Sequence, residues 1–153
     1  MLDLLGGKGA NLAEMSSLGI NVPPGFTVTT EVCNYFIENK SFPDKFDKEL
    51  ETGLADLEKI TKKKFNDDKK PLLLSVRSGA KVSMPGMMDS ILNIGINDKN
   101  VNALASNFND ERFALDSYRR LIQMYGNVVL EIEMDRFEAI IDNKKRIDGV
   151  END

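Results

Sequence analysis

An α+β fold, with helices packed on a small, mostly antiparallel sheet, is what this sequence predicts. Three observations carry that prediction. Apolar residues recur at helical spacing in most of the chain, two short β-prone runs lie near its centre, and proline or glycine punctuates the joins. At 153 residues with 41% hydrophobic and 29% charged side chains, there is apolar material for one core, and the length fits one domain or part of one.

Taken in order, GGKGANLAEM (6–15) opens with glycines that tolerate positive φ and can expose their amides. Ala10 to Leu18 then follow helical spacing, and Gly19 is a natural C-terminal stop. The glycine turn is therefore expected at a helix N-terminus, with Lys8 as a point charge beside it. Orphan amides and the positive end of the helix dipole bind phosphate at such a place. An ordinary strand–helix connection fits the same residues, and the spacing matches neither the Walker A nor the Rossmann pattern.

Pro23 and Pro24 prohibit helix, so 25–28 is expected as a short strand, and Thr29 or Thr30 is placed to cap a helix running to about Asn39. Pro43 opens a longer amphipathic helix with Phe46, Leu50, Leu54, Leu57 and Ile60 on one face. PLLLSVR (71–77) reads as a buried strand, and 89–95 as a second strand paired with 72–76. Further helices are expected over 101–107, over 110–125 with Phe113, Leu121, Ile122 and Met124 buried, and over 131–146. There is no internal repeat and no low-complexity linker.

Arg77 stands at the end of its strand, before Ser78, Gly79, Ala80 and the turn Ser83-Met84-Pro85-Gly86. A guanidinium there offers a forked donor set to phosphate oxygens, or pairs with a surface carboxylate. With Lys8 it suggests a polyphosphate site.

Four ordered segments carry a family resemblance: GGKGANLAEM, VPPGFTVTTEVCNYF (22–36), SVRSGAKVSMPGMMDSILNIGIND (75–98) and FALDSYRRLIQMYGNVVL (113–130). Together they resemble the amino-terminal part of the nucleotide-binding domain of the pyruvate, phosphate dikinases. Phosphoenolpyruvate synthases share the GGKGANL and VPPGF themes, but MPGMMDS favours the dikinases. The resemblance implies a partial ATP-grasp fold over residues 1–153, ATP as ligand, and phosphate contacts from Lys8 and Arg77. It also implies that the loop 83–88 covers the ATP phosphates through Gly86 and Met87. Met84, Met87 and Met88 fit either that lid or packing against a neighbouring domain. Magnesium is implied too, with its carboxylate ligands expected in a distal half of the domain; Asp89 is not assigned as one.

The chain has no histidine, so it cannot contain the family's phosphohistidine carrier, and at this length the pyruvate-binding barrel is absent as well. Both ends are expected to be truncated relative to the family. The resemblance therefore implies the ATP-binding part of a dikinase, inactive by itself and completed by the remaining domains in cis or trans. A non-catalytic nucleotide-binding or interaction module from a truncated or split gene, or a phosphoenolpyruvate synthase-like fragment, is the alternative. An exposed half-domain surface predicts homodimerisation or aggregation.

Composition excludes other classes. A net charge of −5 without a basic stripe argues against nucleic-acid binding, and Lys62, Lys63 and Lys64 sit among acids as a solvated helix end. The single Cys33 permits no intrachain disulfide and reads as a small buried hydrophobe. No apolar run reaches a membrane span and no signal peptide is apparent, so a cytosolic protein is expected.

Overall fold

The computed structural model describes residues 1–79 and 90–150, and within them helices dominate two small sheets. Helix α1 is Leu2–Ser17, α2 is Thr30–Asn39 and α3 is Phe46–Thr61. Four short strands follow: β1 Lys64–Phe65, β2 Pro71–Leu72, β3 Leu74–Arg77 and β4 Ser90–Ile94. The chain then forms α4 Val101–Phe108, α5 Glu111–Val128 and α6 Met134–Asp148.

The expected single sheet is two separate two-stranded ribbons. β1 pairs with β2 in parallel, and β3 pairs with β4 antiparallel. The run 71–77 changes partner at Leu73, so one apolar stretch serves both ribbons, and the β3–β4 register shifts between Leu74 and Val76. The strand expected at 25–28 does not form. The segment 20–29 has no regular structure, and no strand among the described residues pairs with it. Its Phe26 instead lies against Gly53 of α3.

The core lies in the carboxyl-terminal half. Ile96, Val101, Leu104 and Ala114 form one buried cluster, with Leu73, Ala105, Tyr118 and Leu121 against it. Ala114, Ser117 and Leu121 put the inward stripe of α5 at i, i+3, i+7 spacing. That phase corrects the expected one: Phe113 and Ile122 are exposed, and Met124 is only half-buried. Phe113 tilts against Phe108 of α4, with ring centroids 5.2 Å apart. Asp110 caps α5 by accepting a hydrogen bond from the Phe113 amide at 2.8 Å.

An asparagine network ties the loop before β2 to α4. Asn100, fully buried, donates through Nδ2 to the carbonyls of Gly95 (2.8 Å) and Asp67 (3.4 Å), and its Oδ1 accepts from the Asn97 amide. Gly95 has φ +115°, and a Cβ there would lie 2.6 Å from the Leu72 carbonyl oxygen, so the turn after β4 admits only glycine.

The first three helices are joined more loosely. Phe42 tilts against Phe36 and stacks on Phe46, with centroids 4.8 and 4.4 Å apart, and so connects α2 to α3. α2 buries no residue, and Cys33 is exposed on it, not the buried hydrophobe its spacing suggested.

Candidate functional site

Helix α1 is not continuous. Gly6 breaks it with φ 67° and ψ 173°, while Gly7, Lys8 and Gly9 are helical. Only one of the three glycines therefore uses its conformational freedom. The helix restarts after Gly6, so its first amides point back toward the break, and Lys8 stands in that first turn. The glycine turn is thus a helix start inside a longer helical element, with the short turn Leu2 to Leu5 ahead of it.

At the other predicted cation, Arg77 ends β3 opposite Ser90 of β4 and is exposed. Beyond it the chain reaches Gly79, whose backbone lies near Gly6. A Cβ on Gly6 would lie 3.8 Å from the Gly79 carbonyl carbon and 3.9 Å from its Cα. Two segments more than seventy positions apart in the sequence therefore approach each other at this point. Each cation is two residues from the contact, a span of at most about 7 Å of chain.

Lys8 is half-buried and Arg77 exposed, and among the described residues neither side chain makes a hydrogen bond or ion pair. Their charge is not consumed by a protein carboxylate within that part of the molecule. Ser78 between them is engaged with a partner. Gly86, Met87 and the remaining residues of the expected phosphate loop, with Met84, Met88 and Asp89, lie outside the described residues.

Behind the turn lies the irregular segment that follows the two prolines. Thr30 Oγ1 donates to the Asp3 carbonyl at 2.6 Å, across 27 positions of sequence. A Cβ at Gly9 would stand 3.2 Å from Cγ2 and 3.3 Å from Oγ1 of Thr27. Helix propensity and capping rules give Thr30 a local role only; this long-range bond depends on the prolines folding the chain back on α1.

An open apolar cavity of about 640 Å³ lies between β3, β4, α5 and the start of α6. Val76, Ile91, Ile122, Tyr125, Leu130 and Phe137 contribute to its lining. Val76, Ile122, Tyr125 and Leu130 each leave roughly half their surface exposed. Among the described residues no group of three or more acidic, cysteine or histidine side chains is placed to hold a metal ion, and no helix is long and apolar enough to cross a membrane.

Sequence comparison bears on what this junction can bind. A family model described as "Pyruvate phosphate dikinase, AMP/ATP-binding domain" matches residues 2–64, which contain the Gly6 break and Lys8. The chain is 52% identical over 99% of its length to a pyruvate, phosphate dikinase of Rhizobium meliloti, covering 17% of that protein. It is 56% identical over 95% of its length to that of Rickettsia conorii, again covering 17%. It is 52% identical over its full length to the rice protein named pyruvate, phosphate dikinase 1, chloroplastic, covering 16%. The chain thus spans about a sixth of the length of the curated relatives it matches.

Proposed function

We propose, for a chain whose sequence belongs with the pyruvate, phosphate dikinases over nearly its whole length, that the Gly6–Gly79 junction holds the phosphates of ATP. The observation that supports this reading is the approach of Gly6 to the Gly79 backbone, two residues from Lys8 on one side and two from Arg77 on the other. Lys8 supplies a compact charge next to helix amides. Arg77 supplies a planar fork that orients phosphate oxygens. Gly86 and Met87 complete the site as contacts of a covering loop.

The finer fold we assign is part of an ATP-grasp nucleotide-binding domain, with residues 1–153 as its amino-terminal portion. The reaction of the whole enzyme is then ATP, phosphate and pyruvate to AMP, phosphoenolpyruvate and pyrophosphate. In phosphoryl transfer the protein's task is positioning and charge neutralisation, and two cations meet only part of it. The phosphohistidine and pyruvate-binding domains belong to other parts of such an enzyme, acting in cis or trans, since this chain has no histidine. The described residues offer no acidic cluster to fit magnesium, so no magnesium site is assigned to them and no step is derived through the metal. The open apolar cavity supports further polypeptide packing on this chain, from those domains or from a second copy. A cytoplasmic location belongs to the same reading.

Calorimetric titration of the chain with magnesium-ATP, beside Lys8→Ala and Arg77→Ala, tests the site. Each substitution is expected to weaken binding by tenfold or more, since hydrogen bonds to charged groups contribute about 1.5–3 kcal/mol. Arg77→Lys is expected to weaken it as well, because the charge stays while the fork is lost. Wild-type affinity in all three variants would remove both cations from the site.

A further inference from the structure

The half of the turn that carries Lys8 buries little apolar surface among the described residues. Met1 to Leu5 is a single helical turn, Gly6 breaks the helix, and no large apolar side chain of α1 is buried. A lysine that must meet a phosphate from such a place needs its backbone fixed from outside α1. The segment 27–30 does this on both sides of the break. Thr30 Oγ1 donates to the Asp3 carbonyl before it, and Thr27 fills the space over Gly9 after it.

We propose that Thr30, with Thr27 beside it, is the positioning residue of the Lys8 turn: its hydroxyl fixes the strand of backbone entering Gly6, and so sets where the helix amides and Lys8 meet the nucleotide phosphates. The inference rests on the ATP reading of the Gly6–Gly79 junction and adds a role that neither cation performs. Thr30 touches no phosphate in this role; it acts through the Asp3 carbonyl. The half-buried position of Thr30 at the first residue of α2 leaves the main core, on α4 and α5, independent of it.

The test follows the backbone amides of Gly6, Gly7 and Gly9 by nuclear magnetic resonance during titration of the chain with magnesium-ATP, which reads millimolar binding as readily as tight binding. Thr30→Val, which removes the donor at similar shape, is expected to weaken binding about fivefold, the effect of one hydrogen bond. It is also expected to speed hydrogen exchange at Gly7 and Gly9 while protection in α4 and α5 stays unchanged. Thr30→Ser, which keeps the donor, is expected to restore both. Gly9→Ala, whose methyl would press on Thr27 and on Leu5 Cβ, 3.1 Å away, is expected to weaken binding without altering Thr30, and it decides the matter if Thr30→Val does not fold. Unchanged affinity and exchange in Thr30→Val, or in Gly9→Ala where that variant decides, would overturn the positioning role and leave the ATP site standing. A folded wild type whose glycine amides do not respond to ATP would overturn the site itself, and the positioning role with it.

Discussion

The two halves of the molecule are built on different physical terms. In residues 64–150 six apolar side chains, Leu72, Ile91, Ile96, Val101, Leu104 and Ala114, are buried, and the last four form one core cluster. In residues 1–63, Leu57 is the one large apolar side chain that reaches the same burial, while Leu12, Leu18, Phe26, Phe36 and Phe42 are exposed. Yet the amino-terminal half carries Lys8 and the residues matched to an AMP/ATP-binding domain. The carboxyl-terminal half is the platform, and among the described residues the contacts that tie down the Lys8 end of the amino-terminal half include Thr30 to Asp3, Thr27 over Gly9, and the approach of Gly6 to Gly79. Such a division fits ligand-binding segments, which draw on the less stable parts of a fold.

The largest test of that contrast pairs two leucines. Leu104→Ala empties a position that is 3% exposed in the core and is expected to cost about 2–5 kcal/mol of unfolding free energy. Leu12→Ala, at a position 46% exposed on α1, is expected to cost less than about 1 kcal/mol. Denaturant titrations of the two variants measure both. Equal costs would show that the halves share one core after all.

Asn100 sharpens the comparison at a smaller scale. Truncation to alanine removes two donated hydrogen bonds and one accepted one, and leaves the partly buried Gly95 carbonyl without its partner. The expected loss is about 1–3 kcal/mol. Hydrogen exchange should locate it in the loop 66–70 and the start of α4, with α1 to α3 unaffected. Loss of protection in α1 would contradict the division.

The elements legible in the sequence were those whose signals are local. Thr30 to Asn39 and the β3–β4 pairing follow from periodicity and flanking punctuation, and both form as expected. Gly19 ends α1 with φ +75°, as its place after Leu18 suggested. Failures arose where partners distant in sequence decide. Residues 71–77 divide between two ribbons because Lys64–Phe65 is available to pair with Pro71–Leu72. The face of α5 turns toward Ala114 and Ser117 because small residues let it approach α4, so Phe113 is left outside. Lys8 and Arg77 were legible as separate cations beside glycines. The approach of Gly6 to Gly79, and the hold of Thr30 on Asp3, are tertiary facts that no spacing rule contains.

Acid offers the smallest effect, and the two carboxylates it is argued from lie on one side of the comparison. Asp67 accepts the Lys70 and Lys69 amides at 2.6 and 2.7 Å, and these bonds, with the nearby Lys64 and Lys69 charges, hold its carboxyl below the ordinary carboxylate value. Asp116 on α5 is lowered in the same direction, chiefly by its hydrogen bond from Arg119 and then by Arg120. A folded value lowered in this way contributes stability that is present above the unfolded value, about 3.9, and is lost as pH falls through the folded one. Both carboxylates belong to the carboxyl-terminal half. Lowering the pH from about 5 to 3 should therefore loosen the loop 66–70 and α5 and narrow the difference in stability between the halves. Asp67→Asn should make the stability of the loop less dependent on pH across that range, because the titrating group is gone. Residue-resolved hydrogen exchange at several pH values checks this, and an undiminished pH dependence in the variant would assign the acid sensitivity to other carboxylates.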